Sequence, residues 1–348
     1  MKALLFDGVN TVNVGDAPKP NLQTSKDALI RVTHSSICGS DLHILNGRIS
    51  VEKGVIMGHE GVGVVEKVGS DVKRVKPGDR VVVSVSVQCG ECENCRKGLV
   101  AFCERGGIFG HGVGWGDFPG TQAEFMRVPY ADAVLEPIPP SLSEEQAIFV
   151  GDILSTGYMA CENGSIRPGD VVAVFGAGPV GLCAVATARL FGASRIISVD
   201  LLNYRLQAAK RLGADVLVNS GETDASKEIK KITRGKGADV TIEAVGSPDT
   251  LNGCLESVKG AGNISIVGVF PFAKMELSIR DILRRNLQIR AGRTNMVNMA
   301  PLMSLIEHGK LDMTSLITHR MPLIKGDEAY RMFSARSENV LKIILLNS

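Results

Sequence analysis

The sequence predicts an α/β chain in two parts, a doubly wound parallel sheet and a second, mostly β domain. Three observations predict it. From Val171 onward, short apolar strands alternate with helices, as in a parallel sheet covered on both faces. A glycine-rich turn, Gly176-Ala177-Gly178-Pro179-Val180-Gly181, joins the first of those strands to the first helix. The first 150 residues read instead as β-rich runs broken by turn signals, and 348 residues are too many for one compact core.

The N-terminal part contains the runs Ala28–Val32, Val62–Val68 and Arg80–Val85, separated by turns such as Pro77-Gly78-Asp79. The stretch from Gly106 to Gly120 is dense in glycine and has no periodicity. It carries His111 and the single tryptophan, Trp115. Beyond it come strands at Val171–Phe175, Arg195–Asp200, Val216–Val218, Val240–Val245, Ile264–Val269 and Leu287–Ala291. Helices are expected over Pro179–Phe191, Tyr204–Leu212 and Ala225–Thr233. After about Arg293 the pattern reads as helices and a closing strand, Val340–Leu345. The expected domains are therefore 1–154 with 294–348, and 155–293 between them.

Thirty-nine basic residues face 37 acidic ones, a net charge of +2, which gives no basis for nucleic-acid binding or for an anionic membrane surface. One uncharged run, Val171 to Ala188, reaches 18 residues, near the lower limit for a membrane span. Gly176, Gly178, Pro179 and Gly181 would break a spanning helix at its middle, so no membrane association is expected. The apolar run near Met1 is too short for an export signal, and a cytoplasmic protein is expected. Eight cysteines in such a chain argue for metal or thiol chemistry before disulfides.

Four of those eight fall within 15 residues, as Cys89-x-x-Cys92-x-x-Cys95-x7-Cys103. Glu91, Glu93, Asn94, Arg96 and Lys97 lie among them, a composition unsuited to a core. Four thiolates in one loop can close tetrahedrally on zinc and leave no open position, so a structural ion is expected. Cys161, Cys183 and Cys254 sit in apolar surroundings and read as core residues. No partner can be named from the sequence for His34, His308 and His319.

A second group is spread out. Cys38 opens the run Cys38-Gly39-Ser40-Asp41-Leu42-His43, His59 and Glu60 lie between glycines, and Asp152 follows Gly151. A thiolate, an imidazole and a carboxylate would neutralise a zinc ion and leave a fourth position for a reacting oxygen. Taken singly, each of these residues is as readily a core thiol, a satisfied histidine or a turn aspartate. In the glycine turn, Gly176 permits the tight turn, Gly178 the approach of a pyrophosphate, and Gly181 close helix–strand packing. Asp200 ends the next strand 19 residues after Gly181, where a carboxylate accepts from an adenosine 2′-hydroxyl and repels a 2′-phosphate. NAD is therefore expected over NADP. Arg205 could flank the same ribose.

Together these motifs resemble the zinc-dependent medium-chain alcohol dehydrogenases over essentially the full length of the chain. The run Gly58-His59-Glu60 with Gly63, Gly69 and Val72 is similar to that family's zinc signature, and the cysteine spacing to its structural lobe. The resemblance implies a GroES-like catalytic domain built from both chain ends, with a Rossmann domain between. It implies two zinc ions per subunit. Cys38, His59 and Asp152 would hold the catalytic ion, with Glu60 as an interchangeable neighbour, and Cys89, Cys92, Cys95 and Cys103 the structural one. Ser40 and His43 would relay a proton, and Asp41 would support His59. Thr156 and Val180 would back the nicotinamide ring, and Lys342 would meet the pyrophosphate.

The resemblance further implies a small-molecule alcohol or carbonyl substrate and a homodimer or homotetramer, with subunits meeting along Ile264–Val269 and Leu287–Ala291. The third ligand, Asp152, stands where the horse-liver-type branch has cysteine and is similar to bacterial secondary-alcohol dehydrogenases. Polyol, threonine or formaldehyde oxidation, or a cofactor-binding relative without turnover, are the alternative readings. Trp115 and His111 could line the substrate cleft, or pack as a structural glycine loop.

Overall fold

The computed structural model describes residues 1–270 and 274–347. The chain divides into two compact units, Met1–Ser155 with Asn295–Ser348, and Thr156–Thr294, so each crossing lies one residue beyond the expected boundary.

The second unit is a six-stranded parallel sheet in the order Val216–Asn219, Arg195–Asp200, Val171–Phe175, Ala238–Glu243, Val258–Ile266, Gln288–Ala291. The chain starts at the third of these positions, builds outward to one edge, then returns and builds to the other. The switch point therefore falls between Val171–Phe175 and Ala238–Glu243, where such sheets open a crevice at their carboxyl ends. Helix Pro179–Ala188 begins with proline at its first turn, where the missing N–H costs nothing. The sheet core is aliphatic, with Ala173, Ile197, Val218, Ile229 and Ile264 buried in one cluster.

Two strands end earlier than their apolar runs suggest. The run Val240–Val245 stops as strand at Glu243 because the Glu243 carboxylate accepts from the amides of Val245 and Gly246, which turns the chain out of the sheet. Gly246 then takes φ +86°, a conformation open to glycine. The run Ile264–Val269 stops at Ile266.

The first unit is organised by a seven-stranded sheet in the order Ile317–Pro322, Lys342–Leu346, Ala28–Ser36, Glu60–Val68, Arg80–Val83, Leu135–Pro137, with Phe125–Val128 also paired to Ala28–Ser36. Both chain ends enter this sheet. The closing strand lies antiparallel to Ala28–Ser36 with Ile344 opposite Ser36, and Ser36 in turn lies opposite Glu60. Lys342, two residues before Ile344, emerges on the same face of its strand. This register carries a C-terminal lysine to the middle of the unit. One core packs Leu4, Ile37, Ile44, Met57, Tyr330 and Ile343 around the short helix Gly39–Leu45. A second fills the sheet interior with Ile30, Val65, Val81, Phe109 and Met126.

Within the loop 106–120, Gly107–Ile108 pairs with Ser86–Val87, and Val113–Trp115 forms a single 3-10 turn. The 18-residue uncharged run is spent on a buried strand and a helix. Among the described residues no helix is long and apolar enough to cross a membrane.

Candidate active site and metal centres

Helix Gly39–Leu45 positions the first group of side chains. Cys38 is its N-cap, and Asp41, at the third position, accepts from the Cys38 amide at 2.9 Å through Oδ2. The other oxygen of Asp41 lies 3.1 Å from Nδ1 of His59. A carboxylate there draws the imidazole proton to Nδ1, so that Nε2 keeps its lone pair for a ligand. Asp41 thus closes the helix start and sets the tautomer of a histidine on the neighbouring strand.

His59 is reached through Gly58, which sits at φ +90°. A Cβ on it would come within 2.4 Å of the Gln122 side chain. Gln122 is itself fixed, donating to the Ser36 carbonyl at 3.0 Å and accepting from the Tyr330 hydroxyl at 2.8 Å. Asp152 arrives from the 3-10 turn Ile148–Gly151. That turn lies so close to the sheet that a Cβ on Gly151 would meet the Val83 carbonyl at 2.4 Å.

These supports bring four donors together. Cys38 Sγ is 3.6 Å from Asp152 Oδ2, and His59 Nε2 is 3.3 Å from the same oxygen. With Glu60, all four ligand atoms lie within 4.8 Å of one another, and their residues are almost wholly enclosed. Burial, then the charges of Glu60 and Asp152, push the Cys38 thiol up. Burial opposes charge on His59, but Asp41 and then Asp152 hold it well above its ordinary value. A thiol, an imidazole and two carboxylates that repel one another when ionised are what a dication resolves, by displacing the proton and neutralising the charge. The donor set fits zinc, with three ligands and one open position. Ser40 Oγ lies 3.1 Å from His59 Nε2, beside the place an ion would take.

Glu60 is placed by Lys342. The Lys342 ammonium and the Ser36 hydroxyl both hold Glu60 Oε2, while Oε1 has no hydrogen-bond partner among the described residues. Lys342, expected at the pyrophosphate, is only 1% exposed and has its amine against this carboxylate. Burial disfavours its charge, but Glu60 and Cys38 outweigh that and raise its pKa. Lys342 as the anchor of Glu60, and Gln122 with Tyr330 behind Gly58, are the supports that sequence reasoning did not find. His43 lies on the same helix as Ser40, three residues on and so on the same face. It is half-buried, with burial and then Arg48 holding its pKa down.

The cysteine cluster is the second candidate centre. Cys89, Cys92, Cys95 and Cys103 present their sulfurs within 4.8 Å of one another, and two cross pairs, Cys89–Cys95 and Cys92–Cys103, stand at 4.0 Å. Four sulfurs about 2.3 Å from one ion would be roughly 3.8 Å apart, so the cluster is already near that size. Amides point at the sulfurs, from Cys89 to Cys103 at 3.2 Å and from Cys92 to Cys89 at 3.3 Å, as thiolates require. Amides of Glu104 and Cys95 hold the Cys92 thiol down at about 6. Cys161, Cys183 and Cys254 are fully buried in the second unit.

That unit carries the dinucleotide turn. Gly176 has φ +98°, and a Cβ on Gly181 would meet the Gly176 carbonyl at 1.8 Å. At Gly178 a Cβ would meet only the Arg205 guanidinium, at 3.7 Å, so the backbone there is open to a ligand. Asp200 lies against the same turn, accepting from Ala177 N at 2.7 Å and from Leu202 N at 2.9 Å. Pro179 and Val180 begin the helix and are partly exposed. Thr156 is paired through its hydroxyl with Thr294. The open backbone, the helix start and the carboxylate at the next strand end fit a dinucleotide.

Comparison with known proteins agrees. Residues 24–140 match the alcohol dehydrogenase GroES-like domain, and residues 179–307 the zinc-binding dehydrogenase domain. An alcohol dehydrogenase of Cupriavidus necator is 38% identical, over 99% of this chain and 98% of its own length. An uncharacterized zinc-type alcohol dehydrogenase-like protein of Bacillus subtilis, AdhB, is 36% identical over 99% of this chain and 100% of its own. The solved structure of alcohol dehydrogenase TADH from Thermus sp. ATN1 superposes with a TM-score of 0.96 at 39% identity, covering 100% of both chains. With these likenesses beside two clusters of metal-binding donors and a dinucleotide turn, the chain belongs to the zinc-dependent medium-chain alcohol dehydrogenase family.

Proposed function

We propose that this protein is an NAD-dependent zinc alcohol dehydrogenase that interconverts a secondary or medium-sized alcohol with its ketone or aldehyde. The observation that carries the reading is the convergence of Cys38, His59, Glu60 and Asp152 on one buried point beside Ser40. When bound there, zinc would supply Lewis acidity toward an alcohol oxygen, and a nicotinamide the hydride acceptor. The protein's own groups do the rest. Cys38, His59 and Asp152 would hold the ion, and Asp41 keeps the His59 proton on Nδ1. The Ser40 hydroxyl would take the alcohol proton, and His43, on the same helix and with its pKa held down by burial and then Arg48, would accept a proton on its way to solvent. Lys342 holds one oxygen of Glu60 and leaves the other free to take a place at the ion in turn.

The choice of NAD is supported by the Asp200 carboxylate at the glycine turn, which disfavours a 2′-phosphate. A homo-oligomer is supported by the open edge of the parallel sheet. Of the two segments expected at the interface, Val258–Ile266 is paired on both sides, whereas Gln288–Ala291 is an edge strand with one side unpaired among the described residues, and so could offer backbone to a second copy. Eight free thiols suit the cytoplasm. The test is oxidation of primary, secondary and polyhydric alcohols by the zinc-loaded protein with NAD and with NADP, followed by absorbance of the reduced cofactor. Turnover of none of them would remove the reading. In Asp200→Gly the NAD-over-NADP preference should fall by roughly 10–100-fold, the worth of a charge-assisted hydrogen bond. An unchanged ratio would remove the ribose contact.

A further inference from the structure

Glu243 is an acidic residue at the last position of a central strand, Ala238–Glu243, and it is wholly buried. No step of the proposed reaction uses it. One of its oxygens, Oε1, accepts from the amides of Val245 and Gly246 at 3.0 and 2.8 Å and from the Thr250 hydroxyl at 2.7 Å. The other, Oε2, has no hydrogen-bond partner among the described residues. It lies against Gly268, where a Cβ would come within 2.3 Å of it. A buried carboxylate satisfied on one oxygen alone weakens the fold, and proteins keep such breaches of local rules where a site needs them.

What this side chain holds together is the ends of three strands at the switch point. The turn just past Glu243 is packed on the dinucleotide turn: the Ala244 amide donates to the Phe175 carbonyl at 2.9 Å, and a Cβ on Gly176 would meet Val245 Cγ2 at 2.5 Å. On its other side the same turn locks into the end of Val258–Ile266. A Cβ on Gly246 would meet the Val269 carbonyl at 2.0 Å, and the Glu243 carbonyl accepts from the Val267 and Gly268 amides at 2.9 and 3.1 Å. Val245 and Val269 are 48% and 44% exposed. They present apolar surface at the carboxyl ends of the strands, the side on which a doubly wound sheet takes its ligand.

We propose that Glu243 is a positioning residue for the dinucleotide: it fixes the turns that carry Val245 and Val269 against the glycine turn, so that the crevice has its binding form before the ligand arrives. The inference rests on the dinucleotide reading and extends it to a residue outside the glycine turn. A side chain this enclosed acts through the turns rather than by touching the ligand. Turns ordered in advance spare the ligand the entropy of ordering them, so loosening them shows in affinity.

The experiment measures NAD and NADP binding by titration calorimetry on zinc-loaded wild type, Glu243→Ala and Glu243→Gln, at a temperature where all three are folded, with Tm and zinc content alongside. In Glu243→Ala the Kd of the better-bound cofactor should rise roughly 10–100-fold, the worth of hydrogen bonds to a charged group, while zinc content stays that of wild type. Glu243→Gln keeps an oxygen for the two amides but sets a nitrogen in the place of Oε2, where a donor finds no partner. Its Tm should fall by a few degrees while its Kd stays within about threefold of wild type. A merely structural role would lower Tm in both variants and leave Kd unmoved in both. In wild type without cofactor, hydrogen exchange at the Val245 and Gly246 amides should already be slow, and should slow little further when cofactor binds. A Glu243→Ala protein with the wild-type Kd, or wild-type amides protected only once cofactor is bound, would overturn the proposal. If wild type binds neither dinucleotide, the parent reading fails and takes the proposal with it. Should neither variant fold, the exchange measurement on wild type decides.

Discussion

The two clusters of metal-binding donors in this chain are built in opposite ways. The cysteine cluster draws all its donors from 15 consecutive residues, and two of the four, Cys95 and Cys103, are partly exposed. The other cluster gathers donors from positions 38, 59, 60 and 152, and buries nearly all of their surface. One closes by local turns; the other exists only once three separate segments have folded together. A closed site of four like ligands asks for nothing further. The dispersed site needs Asp41 to set a tautomer, Gln122 to seat Gly58, and Lys342 to hold Glu60. The open site proposed for the dispersed cluster would thus rest on side chains brought in from other segments, Asp41, Gln122 and Lys342.

The largest effect expected from this contrast is on turnover. His59→Ala removes a donor from the open site and should abolish oxidation. Zinc content should fall by one ion per chain, while NAD binding, which depends on the other unit, stays close to wild type. Cys95→Ser removes a donor from the closed site and should also cost one ion. Its main consequence should be a Tm lower by roughly 5–10 °C, with residual activity in the fraction still folded. Metal analysis, calorimetry and initial rates on both variants check this. A Cys95→Ser protein that is fully folded yet inactive would break the division between a structural and a reactive ion.

The same contrast explains what could be read from the sequence. The cysteine cluster and the glycine turn are legible because their parts lie within a few residues, so spacing alone constrains geometry. The parallel sheet is legible for the same reason, strand by helix. The dispersed site is not; family resemblance, rather than any local pattern, connects Cys38 to Asp152. Its supports are less legible still. Lys342 reads as a basic residue near a chain end, and only the register of Ile344 on Ser36 and of Ser36 on Glu60 carries it inward. Gln122 and Tyr330 meet across 208 positions. One support, Asp41, is implied by the family resemblance, and a local pattern points to it as well: it stands three residues after Cys38, at the spacing of a helix N-terminal box. Glu243, which ends its strand by capturing two amides, looks like any polar residue in an apolar run.

An intermediate effect is expected from the buried ion pair that supports the open site. Lys342→Met leaves the Glu60 carboxylate enclosed without its counter-charge, and removing one partner of such a pair costs roughly 3–5 kcal/mol. Glu60→Gln alone strands the ammonium. The double variant removes both charges and should recover most of the lost stability, because the desolvation penalty goes with the pair. Denaturant melts of the four proteins give the coupling. Additive losses would mean that Lys342 and Glu60 do not act as a unit.

The smallest effect should come from Asn295, a tie between the closed site and a segment distant in sequence. Its amide nitrogen donates to the Gly98 carbonyl, and its oxygen accepts from the Val100 amide at 3.0 Å, joining the cysteine lobe to a segment nearly 200 residues away. Asn295→Ala removes both bonds from partly buried groups, worth about 1–2 kcal/mol together and a Tm change of a few degrees. The four thiols do not depend on that segment for their own approach, since their spacing is set by the 89–103 turns and by amides within them. Zinc content and kcat should therefore be those of wild type. Were Asn295→Ala to lose an ion, the lobe would have to be regarded as dispersed after all, and its apparent self-sufficiency as a product of the tie.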